Sequence, residues 1–235
     1  MDDGKPVGRR IVLGLAGLGA LGVVFGRQLL DIQQSLLAPV QLSDPTGLSG
    51  LVPAGAGFRY YSVTGGQPFR SDQDYRLVIA GRVERPLTLT LAELKAMPQT
   101  GLTRDFQCVT GWRVPAVPWS GVRLSDLLDR VGVVPTARAV RFTSFDGAYT
   151  ESLTLAQARR SDMLVATHML GAPVTRAHGG PVRLYAAPMY GYKSLKWLGG
   201  IDVTDRVIPG YWEQRGYDID AWVGRSNGRS DDPTS

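Results

Sequence analysis

The chain of 235 residues is 43% hydrophobic and 20% charged, an ordinary globular composition with room for one sizeable core, so one large domain is the expectation. Its 29 glycines and 15 prolines cut the sequence into short segments suited to sheets and loops, which speaks against a helical bundle. The net charge of +5 comes from Lys and Arg placed singly and in pairs; this argues against a nucleic-acid surface and leaves an anionic cofactor or substrate as the partner to expect.

Ile11 to Phe25 is an apolar run broken only by small residues, preceded by Lys5, Arg9 and Arg10 and followed by Arg27. Arg27 can snorkel, and Leu29 and Leu30 can extend the run toward a membrane span. The positive flank then places the remainder outside the cytoplasm, facing the periplasm or cell exterior. "GRRIVLGLAG", Gly8 to Gly17, resembles a twin-arginine export signal. Residues 1–30 are expected to be an export signal or anchor, with residues 11–26 in the membrane; a buried helix of a soluble protein is the alternative. Residues 31–57, with Pro39, Pro45 and Pro53, read as a linker, 58–226 as the folded domain and 227–235 as a disordered polar tail.

Within the domain, Tyr75 to Val83 reads as a strand with a turn. Thr90 and Glu93 form a capping box that opens a short helix before Pro98. Leu102 to Cys108 reads as a strand running into the cysteine. Ser125 is expected to cap a helix over Asp126 to Val131 that Gly132 ends. Ala139 to Leu153 alternates polar and apolar residues around Asp146-Gly147, the signal of a hairpin. Thr154 and Gln157 make a second capping box before Ala156 to Arg160. Further strands are expected at Met163 to Thr167, Pro181 to Ala186 and Gly200 to Thr204. Antiparallel groups with short helices and no regular βαβ repeat give an α+β fold.

The chain has one cysteine, Cys108, which can form no intrachain disulfide. In an exported domain it is inert core, a nucleophile or a metal ligand. The stretch from His178 to Val203 gathers His178, Arg183, Lys193, Ser194 and Lys196 beside Gly179, Gly180 and Gly191, a composition that suits an anion cradle or, more simply, a basic surface loop. It has neither Walker-loop nor G-x-G-x-x-G spacing, and the chain carries no C-x-x-C-H haem motif.

Four stretches together carry a family resemblance: "W-x-G-V-x-L-x-x-L-L" at Trp119 to Leu128 following the cysteine, "A-x-x-M-x-G" at Ala166 to Gly171, "H-G-x-P-x-R" at His178 to Arg183, and "G-x-K-S-x-K-W" at Gly191 to Trp197. Over roughly residues 58 to 223 the chain resembles the sulfite oxidase fold family of molybdopterin-dependent oxidoreductases, particularly short exported bacterial members such as the catalytic subunits of periplasmic methionine sulfoxide reductases.

The resemblance implies a sulfite-oxidase-type fold and a Mo-molybdopterin cofactor, with Cys108 as the protein ligand of the metal, a thiolate matched to a metal held by soft dithiolene sulfurs. It implies cofactor contacts from Tyr61, Ser62, Thr143, His178, Arg183, Ser194, Leu195 and Lys196, and an active-site role for Tyr217 in hydrogen-bonding an oxo group or donating to a leaving oxygen. The implied activity is two-electron oxygen-atom transfer on a small oxo substrate such as a sulfoxide or sulfite, with a membrane cytochrome b as redox partner. The stretch Val109 to Arg113 differs from the "A-G-N-R-R" of sulfite oxidases, and His178 stands where the reductases have asparagine. The alternative function is an exported cysteine transpeptidase that pairs Cys108 with His168 or His178 as nucleophile and base.

Overall fold

The structure is a computed structural model that describes residues 57–225. The expected anchor, most of the linker and the tail lie outside the described residues. Among the described residues no helix is long and apolar enough to cross a membrane. Among the described residues, those from Tyr61 onward form one compact unit.

Among the described residues ten strands and three short α-helices alternate irregularly: β1 (Arg76–Gly81), β2 (Leu87–Thr90), α1 (Leu91–Ala96), β3 (Thr100–Gln107), β4 (Arg113–Arg123), α2 (Leu124–Val131), β5 (Ala139–Ser144), β6 (Thr150–Thr154), α3 (Leu155–Ala158), β7 (Met163–Met169), β8 (Ala172–Pro173), β9 (Arg183–Ala186) and β10 (Leu198–Thr204). They build two five-stranded sheets. One runs β2-β1-β10-β5-β6; β1 and β10 pair in parallel and the other neighbours antiparallel. The other runs β3-β4-β7-β8, with β9 also on β7, all antiparallel. Two mixed sheets with short helices form the expected α+β fold.

Period-two alternation sets the core. On β1 Leu77 and Ile79 point inward while Arg76 and Val78 are exposed, and Ile201 and Val203 of β10 lie in the same cluster as Phe142, Val122, Val165 and Leu184. The cluster takes side chains from both sheets, so a single apolar core lies behind both.

Local signals hold where they are local. Thr90 and Glu93 close the capping box of α1, and Thr154 and Gln157 that of α3. The Asp146-Gly147 turn joins β5 to β6 in register. α2 departs from expectation at its start. Leu124 is already helical, Arg123 stands at the cap without a side-chain bond, and the Ser125 hydroxyl contacts Asp126 instead. Buried Leu124, Leu127, Leu128 and Val131 fix the helix through packing, which is why it begins before its serine. Gly132 ends it in the left-handed conformation as expected.

The longest strand, β4, went unread because it contains Pro115 and Pro118. Its first half pairs only with β3, and a register shift opposite Arg104/Phe106 takes up Pro115 and Ala116. Ala116 sits at φ +49 and its N–H donates to Asp105 Oδ1 at 2.8 Å, so the Asp105 carboxylate holds this bulge in place. That N–H, together with the Arg113 guanidinium, keeps Asp105 below the usual carboxylate range.

Candidate functional site

β3 ends at Gln107 and delivers Cys108 to a tight turn. Cys108 N–H donates to Trp112 O at 2.9 Å and Gly111 N–H to Cys108 O at 3.0 Å, with Gly111 at φ +98, a conformation that suits glycine. The thiol is half-buried, and the Thr110 hydroxyl donates to its Sγ at 3.2 Å. Just before it, the Gln107 Oε1 is buried with no hydrogen-bond partner.

The basic glycine-rich stretch meets this strand at Phe106. The Phe106 ring lies 5.7 Å from that of Trp112, and the guanidinium carbon of Arg183 stands 5.6 Å from the Phe106 centroid and 5.2 Å from that of Trp119. A Cβ on Gly191 would come within 2.6 Å of Phe106 Cζ, so the loop from Gly191 to Trp197 approaches the ring as closely as a glycine permits. Trp119 in turn stacks on Tyr185 at 4.2 Å, whose hydroxyl donates to Asp105 O at 3.0 Å. The turn that carries the thiol and the cationic loop are therefore joined through one aromatic layer.

Arg183 is fully buried. Its Nη1 donates to His178 O and its Nη2 to Ser194 O, both at 2.8 Å, with a longer bond from Nε to Leu184 O. Burial lowers its pKa to about 10. Lys196 Nζ donates to Tyr61 O at 3.0 Å and Ala177 O at 3.1 Å, and Gly179 packs so tightly on it that a Cβ there would stand 2.6 Å from Lys196 Cβ. Burial, then the Arg183 charge, pulls Lys196 down to about 7. The same two cations, after burial itself, hold His178 well below the ordinary imidazole range, so its ring is neutral at neutral pH. Such a concentration of positive charge favours an anionic ligand.

The expected residues divide into groups. His178, Arg183 and Ser194 meet through Arg183, and Lys196 joins them by its charge and by Gly179. Ser194 is committed internally, its Oγ accepting from Ala186 N–H, and Leu195 is buried in the core with its N–H on Lys193 O. Thr143 pairs with Gly200 at the start of β10, just after the loop. Ser62 is buried, and its Oγ is engaged in its own turn with Thr64. Tyr61 is 56% exposed and joins a surface cluster of rings, 5.6 Å from Trp212, which lies 5.0 Å from Tyr217. Tyr217 thus sits on the aromatic patch beside Tyr61, whose carbonyl holds Lys196.

Two readings change. Lys193 does not belong to an anion cradle: its ammonium is buried against the Glu151 and Glu213 carboxylates. Neither histidine is the partner of the thiol; His168 Nδ1 lies 3.0 Å from Thr167 Oγ1, and the sulfur takes its hydrogen bond from Thr110. The cysteine–histidine dyad of a transpeptidase is not formed. Sequence reasoning missed Thr110, although its place two residues after the thiol was a signal. It also missed Glu151 and Glu213, for which there was none.

Residues 64–212 match the family described as the oxidoreductase molybdopterin binding domain. An uncharacterized oxidoreductase of Bacillus subtilis is 35% identical over 162 residues, covering 68% of this chain and 81% of that one. The sulfite oxidase of Arabidopsis thaliana is 30% identical over 179 residues, covering 62% and 46%. A putative protein-methionine-sulfoxide reductase subunit of Azospira oryzae is 29% identical over 225 residues, covering 89% and 84%. Among solved structures, the sulfane dehydrogenase of Paracoccus pantotrophus superposes with a TM-score of 0.56 at 26% identity, covering 61% of this chain and 41% of that one. The chain thus spans most of the two bacterial sequence relatives but less than half of the plant enzyme and of the dehydrogenase.

Proposed function

Because the chain belongs to the oxidoreductase molybdopterin binding domain family and is a molybdopterin-dependent oxidoreductase, we propose that it carries out two-electron oxygen-atom transfer on a small oxo compound, a sulfoxide, sulfite or similar, with Cys108 as the one protein ligand of molybdenum. The observation that carries this reading is the junction at Phe106, which ties the turn bearing a half-buried thiol to Arg183 and to the loop that ends in Lys196.

The residues present fit the cofactor. Among the described residues no three of His, Cys, Asp and Glu gather as metal ligands, so a metal on Cys108 takes its other ligands from an organic carrier, as a dithiolene provides. That carrier is anionic, and Lys196 with Arg183 supplies the positive field it needs. Gln107, the residue before the cysteine, has a buried Oε1 with no hydrogen-bond partner. When bound, the cofactor supplies a metal centre that exchanges two electrons as an oxygen atom passes to or from substrate.

The chain's own residues do the remaining work. Thr110 donates to Sγ and moderates its electron donation. Lys196, Arg183 and the neutral His178 ring hold the pterin and its phosphate, with Tyr61, Ser62, Thr143, Ser194 and Leu195 shaping the walls. Tyr217 presents a phenol that gives a proton to, or hydrogen-bonds, the oxygen that leaves. Residues 58–226 form the catalytic domain, and residues 1–30 export the protein and hold it at the membrane on its outer side. There it exchanges electrons with a membrane cytochrome b.

The test is elemental. Protein matured in cells that make molybdopterin is expected to carry stoichiometric molybdenum and to turn over one of sulfite, a sulfoxide or an N-oxide with an artificial electron carrier. Cys108→Ser is expected to abolish turnover and change the metal's spectrum. A chain matured in this way yet empty of molybdenum refutes the assignment.

A further inference from the structure

Apart from the cationic site, the structure buries a second charged group. Lys193 is fully enclosed, and its three ammonium protons are used on Glu151 Oε1 at 2.8 Å, Ser152 O at 3.0 Å and Glu213 Oε1. Glu213 Oε2 accepts from Gly210 N–H, and Glu151 Oε1 accepts a further bond from Ser152 N–H at 2.7 Å. One oxygen remains. Glu151 Oε2 is buried with no hydrogen-bond partner.

Fully ionised, the group has one ammonium against two carboxylates and leaves one net negative charge in the interior. A buried charge without compensation is far more expensive than a buried neutral hydroxyl. Of the four oxygens of the two carboxyls, Glu151 Oε2 is the one without a donor, so a proton there competes with no existing hydrogen bond. We propose that Glu151 is a neutral carboxylic acid in the folded protein, protonated on Oε2, and that with the Lys193–Glu213 ion pair it forms a charge-balanced tether positioning the Gly191–Trp197 loop.

Burial is the first cause holding Glu151 well above the usual carboxylate range; Lys193 acts against it and Glu213 with it. The titratable groups beside the cluster include Tyr149, buried with its hydroxyl donating to Tyr192 O at 2.7 Å and itself pushed up first by burial, and Tyr192, whose ring centroid lies 6.0 Å from Lys193 Nζ. Lys193 is the cation that acts on Glu151. The tether joins three segments distant in sequence: β6 through Glu151, the loop through Lys193, and the turn at Gly210–Gly216 through Glu213. Lys193 stands beside Ser194, whose carbonyl takes Arg183, and three residues before Lys196. Protonation leaves the positive field of Arg183 and Lys196 without a buried negative charge to offset it. That last consequence rests on the function proposed above, whereas the protonation state does not.

The experiment uses the full chain and infrared spectroscopy at neutral pH, with thermal melts from pH 5 to pH 8. The wild type is expected to show the carbonyl stretch of a protonated carboxylic acid, and E151Q to lack it. Because the folded state keeps the proton that the unfolded chain gives up, wild-type stability falls relative to E151Q as pH rises above the ordinary glutamate range. Absence of the band in the wild type, or parallel melts, overturns the proposal. If E151Q fails to fold, E213Q serves: Glu151 then becomes the only carboxyl on Lys193 and ionises, so the band disappears, and its persistence refutes the assignment. The tether is read by hydrogen exchange in the neutral replacement K193M/E151Q/E213Q, or in E213Q alone should that variant not fold. Exchange of the Lys193, Ser194 and Leu195 amides is expected to quicken on the order of tenfold while β10 amides keep their rates. Unchanged loop exchange overturns the positioning role.

Discussion

Replacing Gly191 by alanine tests the contact between the cationic loop and the cysteine strand in isolation. The added Cβ would lie 2.6 Å from Phe106 Cζ and 2.8 Å from Cε1, with Gln107 O at 3.5 Å. Ordinary carbon contacts are about 3.5–4.0 Å, so the methyl overlaps the ring by about an ångström. The Gly191 backbone is not left-handed, so the whole penalty is steric. Phe106 is buried and meets Trp112 at 5.7 Å, Trp119 at 6.3 Å and the Arg183 guanidinium at 5.6 Å, leaving little room to withdraw. Overpacking of this kind costs about 1–3 kcal/mol. Chemical denaturation of Gly191→Ala is expected to show that loss with an unchanged m value. Phe106→Leu shortens the side chain at the point of collision, so the double variant should recover about 1 kcal/mol relative to the sum of the singles. Additive singles, or a neutral Gly191→Ala, would refute the claim that the loop and the thiol strand are locked at this ring. Molybdenum content should fall in Gly191→Ala along with stability and recover in the double variant.

Two further predictions concern the site itself. Lys196 has a folded pKa of about 7 against an ordinary value of 10.5, so between those values the unfolded chain binds the additional proton and the stability of cofactor-free protein rises with pH. Lys196→Met is expected to flatten that rise and to gain about 2 kcal/mol at pH 7, a figure discounted for the solvent reaching this partly exposed side chain; equal slopes in denaturation curves from pH 7 to pH 10 would contradict it. Thr110→Val removes the hydroxyl 3.2 Å from Cys108 Sγ; with molybdenum on Cys108 as proposed, the thiolate would then donate more strongly and the metal's reduction potential is expected to drop by roughly tens of millivolts, restored by Thr110→Ser. An unchanged potential in a spectroelectrochemical titration would remove Thr110 from the site.

What was legible in the sequence follows from how far apart the cooperating residues lie. The capping boxes at Thr90 and Thr154 and the Asp146-Gly147 turn were readable because three or four adjacent residues determine them. β4 was not, because its prolines are accommodated by a bulge that depends on Asp105, eleven residues before Ala116. The two lysines of "YGYKSLKW" show the same limit within the site. Lys193 and Lys196 lie three residues apart and look alike as composition, yet one is committed to carboxylates 42 and 20 residues away while the other is held by carbonyl oxygens beside Arg183. Local composition located a cationic loop; long-range pairing sets the different surroundings of its two lysines. Arg183 followed the same rule in the opposite direction. As one arginine in a motif it could have stood at the surface, but the aromatic layer from Phe106 to Trp119 encloses it, so its charge is expressed in a medium where it counts for more. The thiol gains its significance from that enclosure, because Phe106 and Cys108 belong to one chain segment and cannot be moved independently.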